Sequence, residues 1–334
     1  MNNKMFKLEI FLVFILSVNL VFAQTPSIDE KISQNKKVSE NKPKVVEASG
    51  AKSVNRNSEI GVSGKKTFTF SEESFYSLYS ELLKDYVQKD GQIIYSGIAA
   101  DPRKLDKFLM LLESFPSSLF DELSREQKIA FWINAYNAFM IKVVSDHFPI
   151  VKNDEPKKNQ NFPANSVRQI SGAWNGIKKV ILGKVLTLQE IEQNVLRKEF
   201  KDPRVHLALV KASKSSPLLL SEPYVGSKLD SQLTSQAKSF LRDPARFFIE
   251  KEDQKVRVSP IFDWYAKDFV AKYPPKGRFN RYPKENAAVL QFISEHLSEE
   301  DAEFLEYKAI KVYYLEYDWR LNDVNVPKID TALE

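Results

Sequence analysis

The sequence predicts an α+β fold, a predominantly helical single domain around a small, mainly antiparallel sheet. Three observations carry this reading. Apolar residues recur at helical spacing in several segments from Phe75 onward. The strand-like runs are few and short, and no regular helical crossovers join them, so a parallel βαβ sheet is not expected. The 334 residues include 28% charged side chains and only 10 glycines, a balance that suits a soluble chain with a sizeable core.

The elements follow in order. Ser71 is an N-cap, and Phe75, Leu78, Tyr79, Leu82, Leu83, Tyr86 and Val87 follow at helical spacing. Asp90-Gly91 turns the chain into a short strand from Ile93 to Tyr95, and a second helix starts at Pro102 and runs through Leu112. Ser124 with Gln127 forms a capping box for the most apolar helix, Ile129 to His147, which Pro149 stops. Residues 150–180 are polar and irregular. Thr187 with Glu190 is a second capping box, opening a helix that reaches Phe200. Asp202-Pro203 then turns into a strand, Val205 to Val210, whose unbroken apolar character predicts burial on both faces. The loop Lys211 to Pro217 follows, then a helix from Ser227 to Arg242. Phe247 to Glu250 and Lys255 to Ser259 read as a hairpin. Helices over Phe262 to Val270 and Asn286 to Leu297 precede a last strand, Ile310 to Tyr317.

The ends differ from this domain, which spans 67–334. Residues 1–23 carry Lys4 and Lys7 ahead of an apolar run, Ile10 to Phe22, and end in Val21-Phe22-Ala23, the pattern of a cleaved secretory signal. Residues 24–66 contain no aromatic side chain and are rich in Lys, Ser, Asn and Glu, which predicts a disordered tether. The mature protein is therefore expected to be periplasmic or secreted, with an envelope ligand or protein as its partner and no membrane span once the signal is removed. The formal charge of +5 belongs to these two segments, because residues 67–334 balance at 38 basic and 38 acidic side chains. A folded nucleic-acid binder carries its basic excess on the domain, so nucleic acid is not an expected partner. The chain has no cysteine, which excludes disulfides, thiolate metal sites and a thiol nucleophile, and three histidines leave few metal ligands. No G-x-G-x-x-G or Walker loop is present. Neither a cofactor nor a metal is expected.

Three groups of residues could carry chemistry. Asn134 and Asn137 lie three apart on one face of an otherwise apolar helix, and an amide buried without partners costs about 1–3 kcal/mol. They must therefore fix loop backbone, or orient an imidazole, or hold a ligand. His206 sits in the apolar 205–210 run, ahead of Ser213, Lys214, Ser215 and Ser216, and functional groups gather in such loops. Along an extended chain His206 and Ser216 would stand ~33 Å apart at about 3.3 Å per residue, so they can pair only if the chain doubles back. Lys211 and Lys214 flank the serines without the S-x-x-K spacing of a serine–lysine dyad. Trp174, Trp264 and Trp319 are expected in the core. Glu190 and Glu192 point to different sides of their helix and make no carboxylate pair.

Phe131-Trp132-Ile133-Asn134-Ala135-Tyr136-Asn137-Ala138 resembles the hallmark of the domain-of-unknown-function family 547. Leu186 to Glu192, Asp202-Pro203-Arg204-Val205-His206, Ile261 to Phe269 and Tyr317 to Asp323 fall in the same order as in that family, so the resemblance covers roughly 75–323. It names no settled reaction. In the family pattern the loop after the histidine carries two cysteines, at positions that here hold Lys211 and Ser216. A histidine of the pattern is replaced by Gln193. The resemblance therefore implies a degenerate member that binds without catalysis, through a cleft around Asn134, Asn137, His206, Lys211, Ser213, Lys214 and Ser215. The alternative is a hydrolase or acyltransferase with Ser216 as nucleophile, His206 as base and Asn134 as orienter.

Overall fold

The structure, a computed structural model, describes residues 70–152, 161–274 and 277–326. The expected leader and tether lie outside the described residues.

The described chain opens with α1 (Glu72–Phe75), α2 (Ser77–Tyr86), α3 (Tyr95–Ala100), α4 (Arg103–Glu113) and α5 (Ser117–Glu122). These pack around α6 (Arg125–Ser145), which is buried along almost its whole length from Ile129. Its N-terminus carries the expected capping box, with the Ser124 hydroxyl accepting from Gln127 N–H at 3.2 Å and the Gln127 amide oxygen accepting from Ser124 N–H at 3.0 Å. A hairpin of β1 (Lys178–Ile181) and β2 (Lys184–Thr187) leads into α7 (Leu188–Glu190) and then a π-helix, Ile191–Phe200. The second capping box is also present, on Thr187 and Glu190.

A 3₁₀ turn, Pro203–Leu207, carries the chain toward α8 (Leu229–Arg242). The remainder is β3 (Phe247–Glu250), β4 (Lys255–Val258), α9 (Ile261–Trp264), α10 (Ala266–Lys272), α11 (Lys284–Ser294), α12 (Glu299–Tyr307) and β5 (Lys311–Tyr314). The apolar side chains form two clusters. One surrounds α6, and the other gathers α8, β3, β4 and α9 to α11. Val205 and Leu209 belong to the first and Leu207 to the second, so the 3₁₀ turn bearing His206 lies at the seam. Trp319 packs against both.

The α+β class holds, with differences of detail. Among the described residues there are two small sheets rather than one. β1 and β2 pair antiparallel, β3 and β4 pair antiparallel, and β5 adds parallel to β4. The expected strand Val205 to Val210 begins instead as the 3₁₀ turn. Asp202 accepts from Arg204 N–H at 3.1 Å and Pro203 stands at the first helical position, so the local signals for a turn outweigh the apolar run. The expected strand from Ile93 to Tyr95 shrinks to single bridges from Ile93 to Val87 and to Asp323. The helix expected over Phe262 to Val270 breaks at Tyr265, whose N–H still bonds back to Ile261 O at 3.2 Å.

Candidate functional site

The amide pair of α6 acts as two backbone clamps. Asn134 donates to Tyr224 O at 2.7 Å and accepts from Tyr224 N–H at 2.9 Å. Asn137 donates to Ala208 O at 2.9 Å and accepts from Val210 N–H at 2.9 Å. Each amide thus satisfies a donor and an acceptor of a buried, irregular segment. Asn137 fixes the chain immediately after His206. Asn134 has its partners on Tyr224 and orients no imidazole.

The loop after that clamp is held equally firmly. Ala212 adopts the left-handed conformation at φ 50°, which sends Lys211 and Ser213 to different sides. Ser216 is 1% exposed. Its hydroxyl accepts from Lys211 N–H at 2.7 Å and donates to Pro217 O at 3.1 Å, so both of its roles are filled by backbone. Ser213 donates to the Tyr317 hydroxyl at 2.9 Å, and Ser215 accepts from Asp318 N–H at 2.9 Å. Lys214 Nζ donates to Gln92 Oε1 at 2.6 Å and Val326 O at 2.5 Å. Arg246 stitches the loop from outside, donating to Lys214 O at 3.0 Å and Ser216 O at 2.8 Å.

His206 belongs to a different set of partners. Nε2 donates to Asp268 at 2.7 Å, and Arg197 grips the same carboxylate through two bonds of 2.6 and 2.9 Å. Gln193 in turn bonds Arg197. On the other edge of the ring, Nδ1 makes no hydrogen bond and stands 3.9 Å from Glu192 Oε1. The Lys211 ammonium lies 3.4 Å from Glu192 Oε2, with both side chains almost fully buried. Tyr265 covers the group, stacked on His206 at 3.7 Å and lying 5.2 Å beneath each of the Arg197 and Lys211 cations.

Burial would raise the Glu192 carboxyl, but the Lys211 charge, with hydrogen bonds from Tyr265 and Lys211, outweighs it and holds the group below its ordinary value. Burial would likewise lower Lys211, and Glu192 outweighs it and holds the ammonium well above its usual range. For His206 burial prevails over the Asp268 bond, and its pKa falls. Asp268 is depressed despite burial, because His206 and Arg197 both bond to it. At neutral pH the group is therefore Glu192⁻, Lys211⁺, Asp268⁻, Arg197⁺ and a neutral imidazole protonated on Nε2. The two ion pairs cancel. The arrangement is a self-compensated charge centre and offers no ionised hydroxyl and no free amine.

Beside the loop lies a cleft of about 760 Å³. Ser213 to Leu218 form one wall, Asp243 to Arg246 and Phe248 another, and Asp318, Arg320 and Gln92 close it. Its apolar surface comes from Pro217, Leu218, Pro244, Phe248 and Leu315. The buried Nε of Arg246 has no hydrogen-bond partner. The three tryptophans expected in the core are half-buried or exposed, with Trp264 at 42%. Among the described residues no group of three or more His, Asp or Glu side chains is placed to hold a metal, and no helix is long and apolar enough to cross a membrane.

Residues 120–241 match the model of a family described as "Protein of unknown function, DUF547", and this match supports assigning the chain to that family. The matched segment contains α6 with both amide clamps, the π-helix, His206 and the whole 211–217 loop. No curated protein and no solved structure matches the chain.

The structure brings His206 and Lys211 together around Glu192, and it gives Ser213, Ser215 and Ser216 to the loop's own scaffold. Glu192, Arg197, Tyr265 and Asp268 complete the centre, and the sequence alone assigns none of them a role there. A signal for Glu192 was available: it follows Ile191 directly after a capping box, at a position where a carboxylate faces the core. Asp268 had no such sign, because it reaches His206 across 62 positions of chain.

Proposed function

We propose that the protein is an exported envelope protein that binds a ligand or partner without catalysis, through the cleft beside the 213–218 loop. The observation that carries this reading is the hydrogen bonding of Ser216, whose hydroxyl takes Lys211 N–H and gives to Pro217 O while buried. A nucleophilic serine needs a base within about 2.6–3.2 Å of its oxygen, and this oxygen is already occupied by backbone. The second position at which the family pattern carries a cysteine holds Lys211, an ammonium neutralised by Glu192. Export is supported by the apolar run from Ile10 to Phe22 and the small-residue end at Ala23.

Binding is favoured by the cleft itself. Its volume of about 760 Å³ falls within the roughly 300–1,000 Å³ of small-ligand sites. It combines apolar walls with a few fixed polar groups, the pattern that gives orientation and specificity. The test is a fragment screen by ligand-observed NMR on the mature chain, repeated on Ala245→Trp. Ala245 is exposed on the cleft wall, so the larger ring fills the cleft without touching the core. Fragments that bind the wild type and are lost from the variant are expected. A set that binds both equally would remove the cleft from the proposal.

A further inference from the structure

On the other side of the 213–217 loop, Ser213 bonds Tyr317, and Tyr317 begins a cluster of rings that lines no part of the cleft. Trp319 is its hub. It stacks on Trp264 with centroids 6.0 Å apart at 19°, and meets Phe162 and Trp174 edge-on at 5.9 and 6.1 Å. In the middle of these rings stands Arg168. Its guanidinium carbon lies 4.6 Å from the Phe162 ring, 5.2 Å from Trp319 and 5.6 Å from Trp174. Ser166 fixes the start of its short turn by accepting Arg168 N–H at 3.1 Å.

Most other arginines that this fold half-buries have a carboxylate. Arg197 has Asp268, Arg204 has Asp202 and Asp230, Arg246 has Asp243 and Arg320 has Asp318. Arg168 differs. Among the described residues no carboxylate pairs with it. Burial pushes its pKa down, with no neighbouring charge opposing the shift. A guanidinium packed among rings keeps its in-plane N–H fork for an acceptor that approaches edge-on, which is the geometry of a carboxylate. The rings around it pack on one another, and the exposed Trp264 offers a flat surface to whatever carries that carboxylate.

We infer that Arg168, with Phe162, Trp174, Trp264 and Trp319, binds a singly charged carboxylate carried beside a flat apolar face. Uronic-acid sugars and aromatic acids share that chemistry. A single uncompensated cation matches one negative charge, and a doubly charged phosphate would leave one charge desolvated and unpaired. The site shares no residue with the cleft and stands independently of the proposal made for it.

Tryptophan fluorescence of the mature chain tests this by titration with sodium glucuronate and with phenylacetate. Their neutral counterparts, glucose and 2-phenylethanol, serve as controls. Saturable quenching by at least one acid is expected, with its neutral counterpart at least tenfold weaker, and the acid that binds identifies which carrier fits. Arg168→Lys keeps the charge but loses the planar fork, and it is expected to weaken the acid at least tenfold with circular dichroism and Tm unchanged. Trp264→Ala removes an exposed ring and is expected to weaken binding as well, which provides a reading if Arg168→Lys fails to fold. Ala245→Trp, in the cleft, is expected to leave this binding intact. Failure of both acids to quench, equal binding of acid and neutral counterpart, or wild-type affinity in Arg168→Lys or in a folded Trp264→Ala would overturn the inference.

Discussion

Replacing Glu192 with Gln would leave the Lys211 ammonium buried beside a neutral group of the same shape. The two side chains are 5% and 6% exposed, with Nζ and Oε2 3.4 Å apart. At an effective dielectric of 20 that separation corresponds to an attraction of about 5 kcal/mol. Breaking a buried pair by removing one partner costs about 3–5 kcal/mol, because the remaining charge stays desolvated. For a domain of this size the loss corresponds to a fall in Tm of roughly 10 °C. Urea unfolding of the protein at pH 7, wild type against Glu192→Gln, measures it.

The same pair makes a pH prediction. In the wild type Glu192 raises the Lys211 pKa above its ordinary value. That stabilisation is fully present below the unfolded value near 10.4 and is lost as pH rises through the folded one. In Glu192→Gln the carboxylate that chiefly opposes burial is gone, so burial lowers the pKa and the variant regains stability as pH rises. The gap between the two proteins should narrow from pH 7 to pH 10. The double variant Glu192→Leu, Lys211→Met removes both charges and should recover most of the loss. A single-variant cost under about 1 kcal/mol, or a gap that widens at alkaline pH, would refute the reasoning.

Two further outcomes follow from the same contacts. Asn137→Ala strands the Val210 N–H and the Ala208 carbonyl in the core, at about 1–3 kcal/mol for each unsatisfied group, and urea unfolding should show a loss of roughly 2–5 kcal/mol. Acid should destabilise the wild type in two stages, read as Tm against pH. His206 has a lowered folded pKa, so the unfolded chain takes up its proton first and stability declines below the ordinary histidine value near 6.5. Asp202, held at about 2 against burial by Arg204 and Lys272, adds a further loss below roughly pH 4.

Much of this fold was legible where local chemistry decides it. Both capping boxes, the 247–258 hairpin and the buried α6 follow from residues close together in sequence. The partners of Asn134 and Asn137 are legible too, because an amide in an apolar helix must find partners, and both find backbone. The 205–210 run misled because a short apolar stretch reads alike as a strand or a buried turn, and Asp202-Pro203 settled which. The charge centre was hidden for another reason. Its members come from the π-helix, the 3₁₀ turn, the loop, the α9–α10 junction and α10, and no periodicity connects them. The tryptophans looked like core because composition alone does not report the Arg168 cation among them.

The most direct test of the non-catalytic reading is turnover. Purified wild-type protein, Ser216→Ala and His206→Ala would be incubated with nitrophenyl esters and with amino-acid nitroanilides, and release of chromophore followed. The account predicts rates at the uncatalysed background for all three proteins. Hydrolysis by the wild type that disappears in Ser216→Ala, with the variant still folded, would contradict it.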